Sequence, residues 1–211
     1  MHPTKVSIEE HGDAIVAWCN PISDESFLLE NTTLNGTEFD ILQTFTASRR
    51  RYEWLTTRWL VQQVFNEATT ISYHENGKPE INKGAMAISI SHCKELVAIA
   101  INKTGKAIGV DCETVESRIL KIKHKFASQK ELAQITKNEL ENLSLLWSAK
   151  EALYKLYAKG GIDFNVHLEV NDFDFCSEGG IFTGTISKDT IVQYKIQYKH
   201  IQNSLLVWVS E

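Results

Sequence analysis

Several things are scarce in this chain, and each scarcity narrows its class. There are only three prolines and 43% hydrophobic residues in 211, so little interrupts the segments that must build a core, and a substantial core is affordable. The four cysteines, Cys19, Cys93, Cys112 and Cys176, are scattered and show no C-x-x-C spacing, which excludes the common zinc-binding patterns. Reduced thiols in a cytoplasmic protein are the expectation; four cysteines can pair, but nothing else supports secretion. No apolar run approaches the length needed to span a bilayer. The first thirteen residues contain no apolar segment of the kind a signal peptide needs. Basic excess is absent too. A net charge of −5 and a pI near 5.8 argue against general nucleic-acid binding. No G-x-S-x-G elbow occurs, and Ser91 and His92 are sequence neighbours, so a hydrolytic Ser–His–Asp arrangement is not indicated.

What is present is regular. A length of 211 residues suits one large domain or two small ones. The segment Leu146 to Lys155 is built of strong helix formers, with no glycine or proline before Gly160 and Gly161. At helical spacing Trp147, Glu151 and Lys155 share one stripe, and Lys150 lies beside Trp147 and Tyr154 on the next. Arg49 to Phe65 predicts a second long amphipathic helix. It has a basic start that opposes the helix dipole and that an anion, or solvent, would offset. A short helix is expected from Thr37 to Phe45. Strands are expected at Ala14–Trp18, Ala87–Ile90, Leu96–Ile101, Gly109–Glu113, Asp163–Val170, Ile181–Ile186, Val192–Tyr198 and Leu205–Val209. Ser128 with Glu131 reads as a capping box. Gly77-Lys78-Pro79 and Thr104-Gly105-Lys106 are turn signals.

Each half thus carries a long helix followed by strands. This order predicts a mixed α/β (α+β) protein of two similar subdomains, residues 1–104 and 105–211.

Asp111 and Glu113 are two apart on a predicted strand and so face the same way. Such a pair is compatible with a solvated strand end, with a basic partner, or with a divalent cation, to which Glu151 would add a third oxygen ligand. Ser91 and His92 close a predicted strand, compatible with a plain turn or with hydrogen bonding to phosphate. Arg58, Lys78, His92, Lys150 and Lys155, taken with the three carboxylates, form an inventory suited to a polyanionic, pyrophosphate-containing substrate and a metal.

The order of these segments resembles the larger, surfactin-type branch of the 4′-phosphopantetheinyl transferases. The matching segments are Gly77-Lys78-Pro79; Ile90-Ser91-His92; Gly109-Val110-Asp111-Cys112-Glu113; Phe126-Ala127-Ser128 with Glu131; and Trp147 to Ala152 with Lys155. They cover roughly residues 45 to 160. The resemblance implies two α/β subdomains about a pseudo-twofold axis, with coenzyme A in the cleft between them. It implies transfer of phosphopantetheine from coenzyme A to a serine of an apo acyl or peptidyl carrier protein, releasing adenosine 3′,5′-bisphosphate. Asp111, Glu113 and Glu151 would hold Mg²⁺. Glu151 and Lys155 would be catalytic. Ser91, His92 and Lys155 would contact phosphates, Arg58 and Lys78 would lie near the 3′-phosphate and adenine, and Pro79 and Lys150 would belong to the same coenzyme A site. A monomer is implied, because both subdomains lie on one chain. Departures are Cys112 inside the D-x-E, read as inert core, and Cys93 after the histidine, where the family often has serine. The competing readings are a Mg²⁺-dependent coenzyme A pyrophosphohydrolase and an inactive module that binds carrier protein.

Overall fold

The computed structural model describes residues 5–171 and 173–211. They divide into two compact units, Met1–Lys106 and Ala107–Glu211. Among the described residues no helix is long and apolar enough to cross a membrane.

The first unit begins with strands β1 (Ser7–His11) and β2 (Ala14–Cys19). Helices α1 (Glu25–Asn31), α2 (Gly36–Thr44) and α3 (Ser48–Phe65) follow. The unit closes with β3 (Ile71–Tyr73), β4 (Pro79–Ile81), β5 (Ala87–His92) and β6 (Val97–Asn102). The strands form one antiparallel sheet in the order β1-β2-β6-β5-β4-β3. Helix α3 lies against this sheet, with Leu55, Leu60 and Val61 buried among Ile88, Val97, Ile99 and Ile101. Asn66 ends the helix in the left-handed region at φ 52, a conformation asparagine tolerates better than most residues.

The second unit has the same plan. Strand β7 (Ile108–Thr114) comes first, then helices α4 (Arg118–Ile122), α5 (Gln129–Gln134) and α6 (Glu139–Tyr157), with a 3₁₀ turn at Lys123–Lys125. An antiparallel series closes the chain: β8 (Leu168–Asn171), β9 (Gly180–Ser187), β10 (Ile191–Ile201) and β11 (Ser204–Ser210). The sheet order is β7-β11-β10-β9-β8. Leu146, Ala149, Leu153 and Leu156 of α6 pack on Leu205, Val207, Val209 and Ile196. The architecture is therefore mixed α/β, with two antiparallel sheets.

Periodicity placed the two long helices and most strands. The sequence reading lacked strands β1, β3 and β4 and helix α4, and two further local features differ from it. The strand expected from Asp163 begins only at Leu168, because the Asp163 carboxylate accepts the N–H groups of Asn165 and Val166 and turns the chain. Helix α1, which the sequence reading lacked, is started by Asp24, whose side chain accepts the Phe27 N–H at 3.0 Å.

Candidate functional site

In the second unit the site is organised by the closeness of β7 and α6. A β-carbon added to Gly109 would fall 1.9 Å from the Ala152 carbonyl oxygen, so only glycine lets the helix backbone settle on the strand. From that point β7 and α6 run past one another in rungs. Gly109 meets Ala152 and Leu156. Asp111 meets Lys155, whose ammonium donates to Asp111 Oδ1 at 2.8 Å and to the Val110 carbonyl at 3.0 Å. Glu113 accepts a hydrogen bond from the Trp147 side chain.

Cross-strand pairing fixes which way these side chains point. Asp111 is opposite Val207, and Glu113 is opposite Leu205. Both partners belong to the core beneath α6, so both carboxylates face the helix. Cys112, between them, points to the other face, buried and in no disulfide.

Charge sets the character of the cluster. Burial, aided by the negative charges of Asp111 and Glu113 and opposed by Lys155, pushes the Glu151 carboxyl up to about 7. Glu113 is likewise raised, chiefly by burial and further by Asp111. Arg118 opposes that rise through a hydrogen bond of 2.5 Å from Nη2 to Oε1. Among the described residues, no three His, Cys, Asp or Glu side chains are arranged to hold a metal ion. Asp111, Glu113 and Glu151 form an electrostatically coupled trio, with two members drawn towards Lys155 and Arg118, rather than a closed cage.

Lys150, on the same helix, has a different task. It is fully buried, and its ammonium donates to Glu131 Oε2 at 2.8 Å, to the Phe126 carbonyl at 2.8 Å and to the Phe164 carbonyl at 2.9 Å. Three bonds use all three ammonium hydrogens, so none remains for the coenzyme A contact expected of it. Glu131 completes the hub by accepting from Val170 N and by closing the capping box with Ser128 at the start of α5.

The first unit shows a parallel division of labour. Arg58, expected near a 3′-phosphate and adenine, is fully buried. Its Nε donates to Glu38 Oε1 at 3.1 Å, and its guanidinium lies 3.2 Å from the centre of the Trp54 ring. Glu38 in turn accepts from the Ile71 and Asn35 N–H groups. Arg58 thus ties α2, α3 and β3 together inside the fold instead of facing a ligand. The periodicity already put it beside the apolar face of α3, but a buried carboxylate partner twenty residues away leaves no local signal.

Arg50 is exposed, and the sequence reading did not single it out. Its Nη1 lies 3.1 Å from His92 Nε2. Guanidinium is only a donor, so Nε2 accepts in this contact. The other ring nitrogen, Nδ1, lies 3.4 Å from Glu53 Oε2, and the Glu53 carboxylate also accepts from Arg49 Nε at 2.7 Å. Arg51 is committed to Glu25 and to the Leu42 carbonyl. Ser91, next to His92 on β5, is buried, and Lys78 stands exposed on the β3–β4 turn beside the half-buried Pro79.

Comparison with curated proteins gives no match. Residues 107–208, nearly the whole second unit, match the family model of the 4′-phosphopantetheinyl transferase superfamily, and the two-sheet α/β architecture is consistent with the fold of that superfamily.

Proposed function

We propose that the chain is a 4′-phosphopantetheinyl transferase of the two-unit, surfactin-type branch. It would move phosphopantetheine from coenzyme A to a serine hydroxyl of an apo acyl or peptidyl carrier protein and release adenosine 3′,5′-bisphosphate. The observation that carries this reading is the meeting of Lys155 with Asp111 at 2.8 Å, beside a Glu151 whose carboxyl is raised to about 7. A base that titrates near neutrality and an ammonium group one helical turn away are what transfer to an alcohol needs.

The donor chemistry also fits a divalent cation. Three carboxylates offer hard oxygen ligands, and the repulsion from Asp111 and Glu113, which adds to burial in raising Glu151, is one such an ion relieves. Asp111, Glu113 and Glu151 are the residues that would hold Mg²⁺, which when bound neutralises charge on the pyrophosphate. In the transfer, the carrier serine oxygen bonds to the pantetheine-side phosphorus as the bond from that phosphorus to the bridging oxygen breaks. Glu151 takes the serine proton. The Lys155 ammonium stabilises the charge that gathers on the departing bisphosphate. In the first unit, Arg50 and His92, with Ser91 and Lys78 as further polar groups and Pro79 beside Lys78, are read as contacts for the nucleotide end of coenzyme A. Arg58 and Lys150 are read as structural. The reading extends to a monomer in the cytoplasm.

Mass spectrometry of an apo carrier incubated with the protein, coenzyme A and Mg²⁺ tests it. A carrier gaining one phosphopantetheine, with transfer stopped by excess EDTA, is the expected result. Bisphosphate released without any carrier would favour a pyrophosphohydrolase. Carrier binding without either product would favour an inactive module.

A further inference from the structure

Glu53 is a carboxylate buried behind two groups that reach the surface. Only 6% of its side chain is exposed, whereas that of Arg49 is 55% and that of His92 33% exposed. Its Oε1 accepts from Arg49 Nε at 2.7 Å, and its Oε2 lies 3.4 Å from His92 Nδ1. The other acids that serve α3 are placed differently. Glu38 meets Arg58 where both are buried, and Glu25 meets Arg51 from the more exposed side of that pair. Glu53 sits inside while its partners face outwards, so it governs what the surface presents.

Beyond His92 stands Arg50. Its Nη1 lies 3.1 Å from His92 Nε2, and its guanidinium is 5.3 Å from the centre of the Phe45 ring. Arg49, Arg51 and Arg58 each have a carboxylate, but among the described residues Arg50 forms no ion pair. With a neutral imidazole, Arg49, Arg50 and Glu53 therefore leave this edge one positive charge in excess. Nearby charges do not alter that balance: Arg51 is matched by Glu25, and Lys94 is followed by Glu95 on the turn after β5. From β6 the residue paired with His92 is the apolar Val97.

Resting on the phosphopantetheinyl-transfer reading, we propose that Glu53 is a positioning residue for the phosphate contact in the first unit, and that through it His92 takes up a proton as a phosphate monoester binds. The count of donors and acceptors requires the proton. A phosphate oxygen accepts, so Nε2 must meet it as N–H. The Glu53 carboxylate also accepts, so Nδ1 facing it must be N–H as well. An imidazole protonated at both nitrogens is an imidazolium. Charge agrees, because a phosphate monoester brings about two negative charges. The excess charge at Arg50 meets one, and the proton that His92 gains from solvent meets the other. Glu53 holds the ring from behind and makes the imidazolium favourable.

The test is calorimetric titration with coenzyme A at pH 8, where its phosphate monoester is already ionised, in buffers of different ionisation enthalpy. Wild type is compared with Glu53→Gln, which keeps the size of the side chain and loses its charge. Wild type should take up a measurable fraction of a proton, and the His92 imidazole NMR signal should move to the imidazolium position at saturation. Glu53→Gln should bind about tenfold more weakly and lose that uptake. The wild-type measurements stand whether or not the variant folds. Binding by wild type without proton uptake and with an unmoved His92 signal overturns the inference and leaves the transfer reading intact. Wild-type affinity and uptake in Glu53→Gln, with only its stability reduced, overturns it too and makes Glu53 a structural residue. No coenzyme A binding by folded wild type overturns the transfer reading and this inference with it.

Discussion

Gly109 and Ala152 touch backbone to backbone: a β-carbon on the glycine would lie 1.9 Å from the Ala152 carbonyl oxygen and 2.9 Å from Leu156 N. The obstacle is main chain on a well-packed helix, so it cannot be relieved by a side-chain rotation. Gly109→Ala should push α6 off β7, separating Lys155 from Asp111. Overpacking of this kind costs about 1–3 kcal/mol. Urea unfolding should show that loss, and transfer activity should fall further than stability alone explains. Gly36→Ala, where nothing lies within 4 Å and φ is ordinary, should leave both nearly unchanged.

Glu151 makes stability depend on pH. Its carboxyl is raised from 4.5 to about 7 in the folded protein, so the fold prefers the protonated form. The contribution is fully present below about pH 4.5 and is lost as pH rises through about 7. Glu151→Gln cannot ionise, so in EDTA the variant should gain on wild type at pH 8, by at most about 3 kcal/mol, and be little different at pH 4.5. Thermal unfolding at the two pH values measures this. A wild-type protein as stable at pH 8 as the variant would show that the carboxylate is accommodated without cost.

Lys150 should matter for folding before it matters for substrate. Lys150→Met leaves the buried Glu131 side chain without its cation and two carbonyls without their donor, a loss of about 3–5 kcal/mol. Adding Glu131→Gln to Lys150→Met should recover part of that stability, since the amide removes the buried charge while its oxygen still accepts from the Val170 N–H. If Lys150→Met instead folded normally and only raised KM for coenzyme A, the coenzyme A-binding role expected of Lys150 would be restored.

Carrier recognition should use the basic stretch that follows β7. Arg118 and Lys123 are engaged with Glu113 and Glu139, but Lys121 and Lys125 are exposed. A protein of net charge −5 needs a local positive patch to meet an acidic partner, since at physiological salt charges are felt over only about 8 Å. Reversing Lys121 and Lys125 to Glu should raise KM for the carrier, more so at low salt, and leave coenzyme A binding nearly unchanged. An unaltered carrier KM at low salt would make the stretch ordinary soluble surface.

Much of this molecule is decided locally, and so could be read from the sequence. The long helices α3 and α6, the Ser128–Glu131 capping box, the common facing of Asp111 and Glu113, and the alignment of Trp147, Glu151 and Lys155 follow from periods of 3.6 and 2 and from capping chemistry. Tertiary structure decided what each cation does. Lys150, Lys155, Arg50 and Arg58 look alike in a helical sequence, because the partner that defines each is distant along the chain. Lys150 meets Glu131, Lys155 meets Asp111, Arg50 meets His92 and Arg58 meets Glu38. A buried cation must be neutralised and fully hydrogen-bonded, whereas an exposed one remains available to a ligand. Only the packing of α6 on β7 and of α3 on its neighbours determines which cations are buried.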